Sequence, residues 1–162
     1  MVKHNGGRLV ARTLNELGVR DIFSLSGGHI NPIYDACADY GIRIIDTRHE
    51  QGAAMAADAY GRIRREPGVC LVTAGPGFTN SLTGIAGAHL SNSPLIVISG
   101  RSGIEENDRL SLQEVDQQAM AVPVTKWART VYDVRRLPEY VCSAYVQAVS
   151  GRPGPAYLGM SY

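Results

Sequence analysis

Two hydrophobic periods take turns along the chain. Between residues 6 and 17, Leu9, Val10, Thr13, Leu14 and Leu17 recur at helical spacing, and Gly18 stands where a helix can close. Short apolar runs at 21–25, 42–45, 69–74, 94–99, 125–132 and 156–160 predict six strands. Helical patterns at about 32–41, 50–65, 78–90 and 136–150 lie between them, with Pro32 in a first turn and Pro67-Gly68 as a stop. The runs VCLVTA and PLIVIS are apolar almost throughout, which means burial on both faces and a parallel sheet. The expected fold is α/β: a three-layer sandwich, with a six-stranded, mostly parallel sheet between helices. One stretch breaks the rhythm. GRSGIEENDRLSLQEVDQQ, residues 100–118, is polar and too long for a plain connection, so it is expected to be functional or mobile.

Composition narrows the class without naming it. With 162 residues, 44% hydrophobic and 19% charged, the chain is sized for one soluble domain spanning 1–162. The net charge of +1, with scattered Lys and Arg, argues against a nucleic-acid surface. No apolar run reaches the roughly 20 residues of a membrane span. The first residues do not resemble a signal peptide, so the cytoplasm is the expected location. Cys37, Cys70 and Cys142 lie far apart in apolar segments and are expected to be buried free thiols. His4 and His49 show no metal-ligand spacing, and no metal site is expected; His29 and His89 are single histidines suited to capping or packing.

In an open α/β sheet, ligands bind beyond the carboxyl ends of the strands. Four segments emerge there: Ser26-Gly27-Gly28-His29, Arg48-His49-Glu50-Gln51, Thr73 to Phe78, and the loop after Ser99. Glu50 opens a helix, where the dipole alone would favour a carboxylate, so a structural role and a chemical one both remain open at this point. GPGFTN invites a dinucleotide reading, but Asn80 replaces the third glycine and the acidic residue expected after the next strand is missing. A tight turn without ligand duty, or one whose backbone approaches a flat ligand, fits better.

The motifs RHEQGAAMAADAYGR, GVCLVTAGPGFTNSLTGIAGAHLSNSPLIVISG, LQEVD and SGRPGPAYL, in this order, resemble the thiamine diphosphate (ThDP) enzymes of the acetolactate synthase and benzoylformate decarboxylase superfamily, in their N-terminal pyrimidine-binding (PYR) domain. The resemblance runs from about residue 6 to 158. It implies that Glu50 contacts N1′ of the cofactor's aminopyrimidine and activates it by sharing a proton. It further implies that Ser26, Gly27 and Gly28 form one wall of the cofactor site, and Thr73, Gly75, Pro76, Gly77 and Asn80 another. Phe78 and Gln113 are then expected near substrate, with Leu112 where relatives often carry an aromatic. His29 is not typical of acetolactate synthases; it resembles a branch with 2-hydroxyacyl-CoA lyase-like members and is expected to touch substrate or a catalytic water.

The same resemblance implies what lies elsewhere. Mg²⁺ and the diphosphate need a second, diphosphate-binding domain with a Gly-Asp-Gly motif, and this sequence has no Gly-Asp pair. An FAD site, which some relatives carry, would also lie outside. The chain is therefore expected to be one part of an enzyme, a fragment or a separate subunit, inactive alone. It would serve a carboligase, or a 2-oxo acid decarboxylase or lyase. The alternative is a non-catalytic assembly domain. The alanines of 53–59 and the small residues Gly84, Ala86, Gly87 and Ala88 imply a homodimer through paired helices.

Overall fold

A computed structural model describes residues 5–161, so His4 lies outside the described residues. In chain order the elements are α1 (Gly6–Glu16), β1 (Asp21–Ser24), α2 (Asn31–Asp39), β2 (Arg43–Asp46), α3 (Glu50–Arg64) and β3 (Gly68–Val72). Then come α4 (Pro76–Leu90), β4 (Leu95–Arg101), α5 (Gln117–Ala121), β5 (Trp127–Val131), α6 (Leu137–Val149) and β6 (Pro155–Ser161). The strands form one sheet in the order β2-β1-β3-β4-β6-β5, and every pairing is parallel.

Side-chain alternation divides the core into two layers. Val69, Leu71, Ile96 and Ile98 face α1, α2 and α6, joining Val10, Leu14, Ile33 and Val141. Cys70, Val72, Leu95 and Val97 face α3 and α4, joining Ala53, Ala54, Ala57, Phe78 and Ile85. The edge strand β2 is mostly exposed, which explains why its sequence mixes Arg43 and Asp46 with two isoleucines. Small residues set the spacing on the α3–α4 side. A Cβ on Gly84 would stand 2.6 Å from Ala54 Cβ, and one on Gly68 only 1.9 Å from the Ala57 carbonyl oxygen. The two helices thus pack at backbone distance on each other and on β3.

Local chemistry explains the ends. Asn5 caps α1 by accepting from Arg8 N, and Gly18 takes the left-handed turn (φ +89°) after it. α3 is capped by His49 Nδ1, which accepts from Gln51 N, and it stops at Arg65 in the left-handed region (φ 57°). Two expectations need correction. Cys142 is exposed, because the buried face of α6 is Leu137, Val141, Ala144 and Ala148, and position 142 falls off that stripe; Cys37 and Cys70 are buried as expected. The polar stretch after β4 is not wholly irregular, since its end forms α5, capped by Asp116 accepting from Ala119 N.

Candidate functional site

From β1 the chain moves outward to β2, then returns to lay β3 and β4 on the other side of β1. That reversal leaves a crevice between the carboxyl ends of β1 and β3, the position where such sheets take ligands. The expected residues gather there. Thr73, 8% exposed, follows β3 and is the hub. A Cβ on Gly27 would stand 2.4 Å from Thr73 Cβ, and one on Gly77 2.7 Å from Thr73 Cγ2. Both glycines therefore lie flat on the threonine, and the result is a ledge of backbone with little side chain above it. Ser26, Gly28, Pro76 and Asn80 are exposed along its rim.

Glu50 stands at this ledge. It is the first residue of α3 and only 7% exposed. Asn80 Nδ2 donates to Glu50 Oε2 at 2.9 Å. The other oxygen, Oε1, accepts no hydrogen bond among the described residues and lies 3.5 Å from where a Gly77 Cβ would be. Beneath it, the fully buried Cys70 thiol has its pKa raised, first by burial and then by Glu50, so it stays protonated and inert.

His29 sits in a single 3-10 turn after β1, with Nδ1 3.3 Å from Thr73 Oγ1. A Cβ on Gly100 would stand 2.2 Å from His29 Cβ, so β4 braces the histidine from behind. Gln113 arches over Gly75, its backbone oxygen 2.7 Å from where a Gly75 Cβ would be, and both residues have positive φ. Phe78 differs from the rest. Its ring is fully buried, 4.8 Å from the Tyr157 ring, so it backs the glycine turn from inside the core. Leu112 is 81% exposed.

Sequence reasoning missed Gln117. It is 1% exposed and bonds through both ends of its amide at the ledge's back wall: Oε1 accepts from Gly75 N at 3.0 Å, and Nε2 reaches Ser99 Oγ, Gly100 O and Tyr157 OH. Burial pushes the Tyr157 hydroxyl up to about 12, so it remains a neutral donor. Nothing in LQEVDQQ singles out the first of two adjacent glutamines. The available signals were Ser99 ending an apolar strand and Tyr157 within another, both buried polar groups in need of a partner.

The residues fit the pyrimidine half of the cofactor expected from the resemblance. A flat backbone ledge suits an aromatic ring, and a nearly buried carboxylate with one free oxygen suits a ring nitrogen that carries or lends a proton. Among the described residues there is no group of three or more His, Cys, Asp or Glu that could hold a metal ion.

Comparison with known proteins points the same way. Residues 4–120 match the family described as thiamine pyrophosphate enzyme, N-terminal TPP binding domain. The chain is 44% identical over 154 residues to 2-hydroxyacyl-CoA lyase 2 of Danio rerio, covering 95% of this chain and 25% of that protein. It is 43% identical over 154 residues to an acetolactate synthase large subunit of Mycobacterium tuberculosis, covering 95% of this chain and 28% of that one. Against human 2-hydroxyacyl-CoA lyase 2 it is 43% identical over 157 residues, 97% of this chain and 25% of the relative. The chain spans about a quarter of the length of these curated relatives. A match over most of its length makes this chain a member of the thiamine pyrophosphate enzyme family, in that family's N-terminal TPP-binding domain.

Proposed function

We propose that the chain holds and activates the aminopyrimidine half of ThDP within an enzyme that cleaves or joins carbon–carbon bonds beside a carbonyl, as a lyase or transferase. The observation that carries this reading is Glu50: a nearly buried carboxylate at a helix N-terminus, one oxygen fixed by Asn80 and the other facing the glycine ledge. The cofactor, when bound, supplies the carbanion chemistry, and the protein supplies placement and proton transfer. Glu50 holds or gives up a proton at Oε1. Asn80 keeps Oε2 occupied, so the exchange is confined to one oxygen. Ser26, Gly27, Gly28, Thr73, Gly75, Pro76 and Gly77 form the surface on which the ring lies, with Phe78 as its support. His29 and Gln113 stand at the substrate side, and His29 touches substrate or a catalytic water through Nε2.

In this reading Mg²⁺ and the diphosphate are held by a diphosphate-binding domain or subunit outside these residues, as any FAD would be. The exposed face of α3 and α4, with Met55, Ala59 and Ile63 beside Gly87 along one groove, meets the same face of a second copy. The free thiols fit the cytoplasm. Among the described residues no helix is long and apolar enough to cross a membrane.

Calorimetric titration of the full-length protein with ThDP and Mg²⁺ tests the reading. Wild type binds with micromolar affinity or better. Glu50→Gln turns over about 10²–10⁴-fold more slowly, the scale of a lost acid–base group. Full activity in that variant would remove Glu50 from the chemistry.

A further inference from the structure

The ledge has a back wall whose duty neither the family match nor the proposed chemistry assigns. The 102–116 loop between β4 and α5, and the first residue of α5 that follows it, each touch the site once, and both contacts fall on Gly75. The Gln113 backbone packs over its Cα, and the Gln117 side chain accepts from its amide. Gly75 has φ +57° and ψ −111°, a conformation open to glycine and strained for other residues. Its amide precedes Pro76, which has no N–H to offer, so Gln117 receives the donor at the point where the turn enters α4. The rest of Gln117 is spent on β4 through Ser99 and Gly100 and on β6 through Tyr157. The loop is also tied within itself. Glu114 accepts from Asp108 N at 2.5 Å and from Ser111 N at 2.9 Å, which fixes the residues leading to Gln113.

We infer that Gln117 is a positioning residue that latches the 102–116 loop to the Gly75 turn, so that closing the loop and shaping the cofactor ledge are a single event. Gln117 touches no reacting atom. It acts through Gly75, which in turn sets Gly77 and Thr73. A loop that lifts away takes Gln113 with it and frees the Gly75 amide, and the ledge loses its shape without any change at Glu50. The effect on cofactor binding rests on the proposed reading of the ledge, whereas the latch itself does not.

The experiment is hydrogen–deuterium exchange read at the Gly75 amide in the full-length protein, beside ThDP affinity measured by calorimetry. Gln117→Met keeps the side-chain length and removes the hydrogen bonds. It is expected to exchange Gly75 roughly tenfold faster, the scale of one lost buried hydrogen bond, and to weaken ThDP binding by a similar factor. Tyr157→Phe removes a different partner of the same glutamine and leaves the bond to Gly75, so Gly75 stays protected. Should Gln117→Met fail to fold, Asp116→Ala takes its place, since it frays α5 at an exposed cap without touching the core; it too speeds exchange at Gly75. Wild-type exchange at Gly75 in the glutamine or cap variant overturns the latch. Equal loss of protection in Tyr157→Phe also overturns it, by reducing the effect to general loosening. If wild type fails to bind ThDP, the cofactor reading falls while the exchange result still judges the latch.

Discussion

Thr73 shows how much one side chain can carry at the residue scale. Its methyl group lies where a Gly77 Cβ would go, while its hydroxyl faces His29. Gly77→Ala is therefore expected to weaken ThDP binding and to destabilise the domain by about 1–3 kcal/mol, the usual cost of overpacking. Thr73→Ser in the same chain removes the offending Cγ2 and restores most of the loss. A double-mutant cycle on urea midpoints measures that coupling, and additive effects would deny the contact. His29→Ala is expected to change kcat with little effect on the melting temperature, because alanine keeps the Cβ braced against Gly100 and the ring it removes is only partly buried, with a long contact to Thr73. Unchanged kinetics would return His29 to a packing role. At this scale the sequence showed which residues reach the ligand edge of the sheet, while a chemical role for Glu50 came only from the resemblance. Glu50 and the glycines were visible because strand ends and turn residues mark the ligand edge of a parallel sheet. Gln117 was invisible, since its burial depends on where α5 lands, and no local pattern records that.

Helices α3 and α4 are the informative pair at the scale of elements. Their small residues do two different jobs, and glycines on one helix separate them. Gly84 faces Ala54 with no room for a Cβ, while Gly87 meets nothing within 4 Å. Gly84→Ala should lower the unfolding midpoint. In the unpaired chain Gly87→Ala should raise stability by about 0.5–1 kcal/mol, the helix-interior gain of alanine over glycine. Urea denaturation of the two variants side by side checks both signs. Periodicity predicted these helices, but the start of α4 at Pro76 rather than near Phe78 was not legible. Proline is well suited to a first turn, yet a glycine on either side reads as loop until the fold supplies helix contacts. Cys142 was misplaced for a related reason: VCSAYVQAV is apolar on more than one face, so composition alone does not say which stripe is inside.

Electrostatics belongs to the whole molecule here, because its clearest effect sets how the long loop between β4 and α5 keeps its shape as pH changes. The backbone amides of Ser111 and Asp108 hold the Glu114 carboxyl below its ordinary value of 4.5. A lowered folded pKa means that the contribution is complete above 4.5 and drains away as pH falls through the lowered value. The loop is accordingly expected to loosen in acid before the sheet melts. Limited proteolysis within 102–116, compared at neutral pH and near pH 4, reads this, and Glu114→Gln should flatten the difference. Architecture was the most legible level of all: alternating strand and helix patterns with doubly apolar central runs leave few topologies for a parallel sheet.

The order β2-β1-β3 has a kinetic consequence. β1 meets β3 only after the intervening α2, β2 and α3 have been made, and the ledge waits further for Gln113 and Gln117 to arrive from beyond β4. Its parts come from well-separated stretches of the chain, 26–29, 50, 73–80 and 113–117, so no local fragment can rehearse it. Loop-closure entropy must be overcome for each arrival. The ledge is thus expected to be among the last features to form during folding, and on the proposed reading a nascent or partly unfolded chain would present no premature grip for the cofactor.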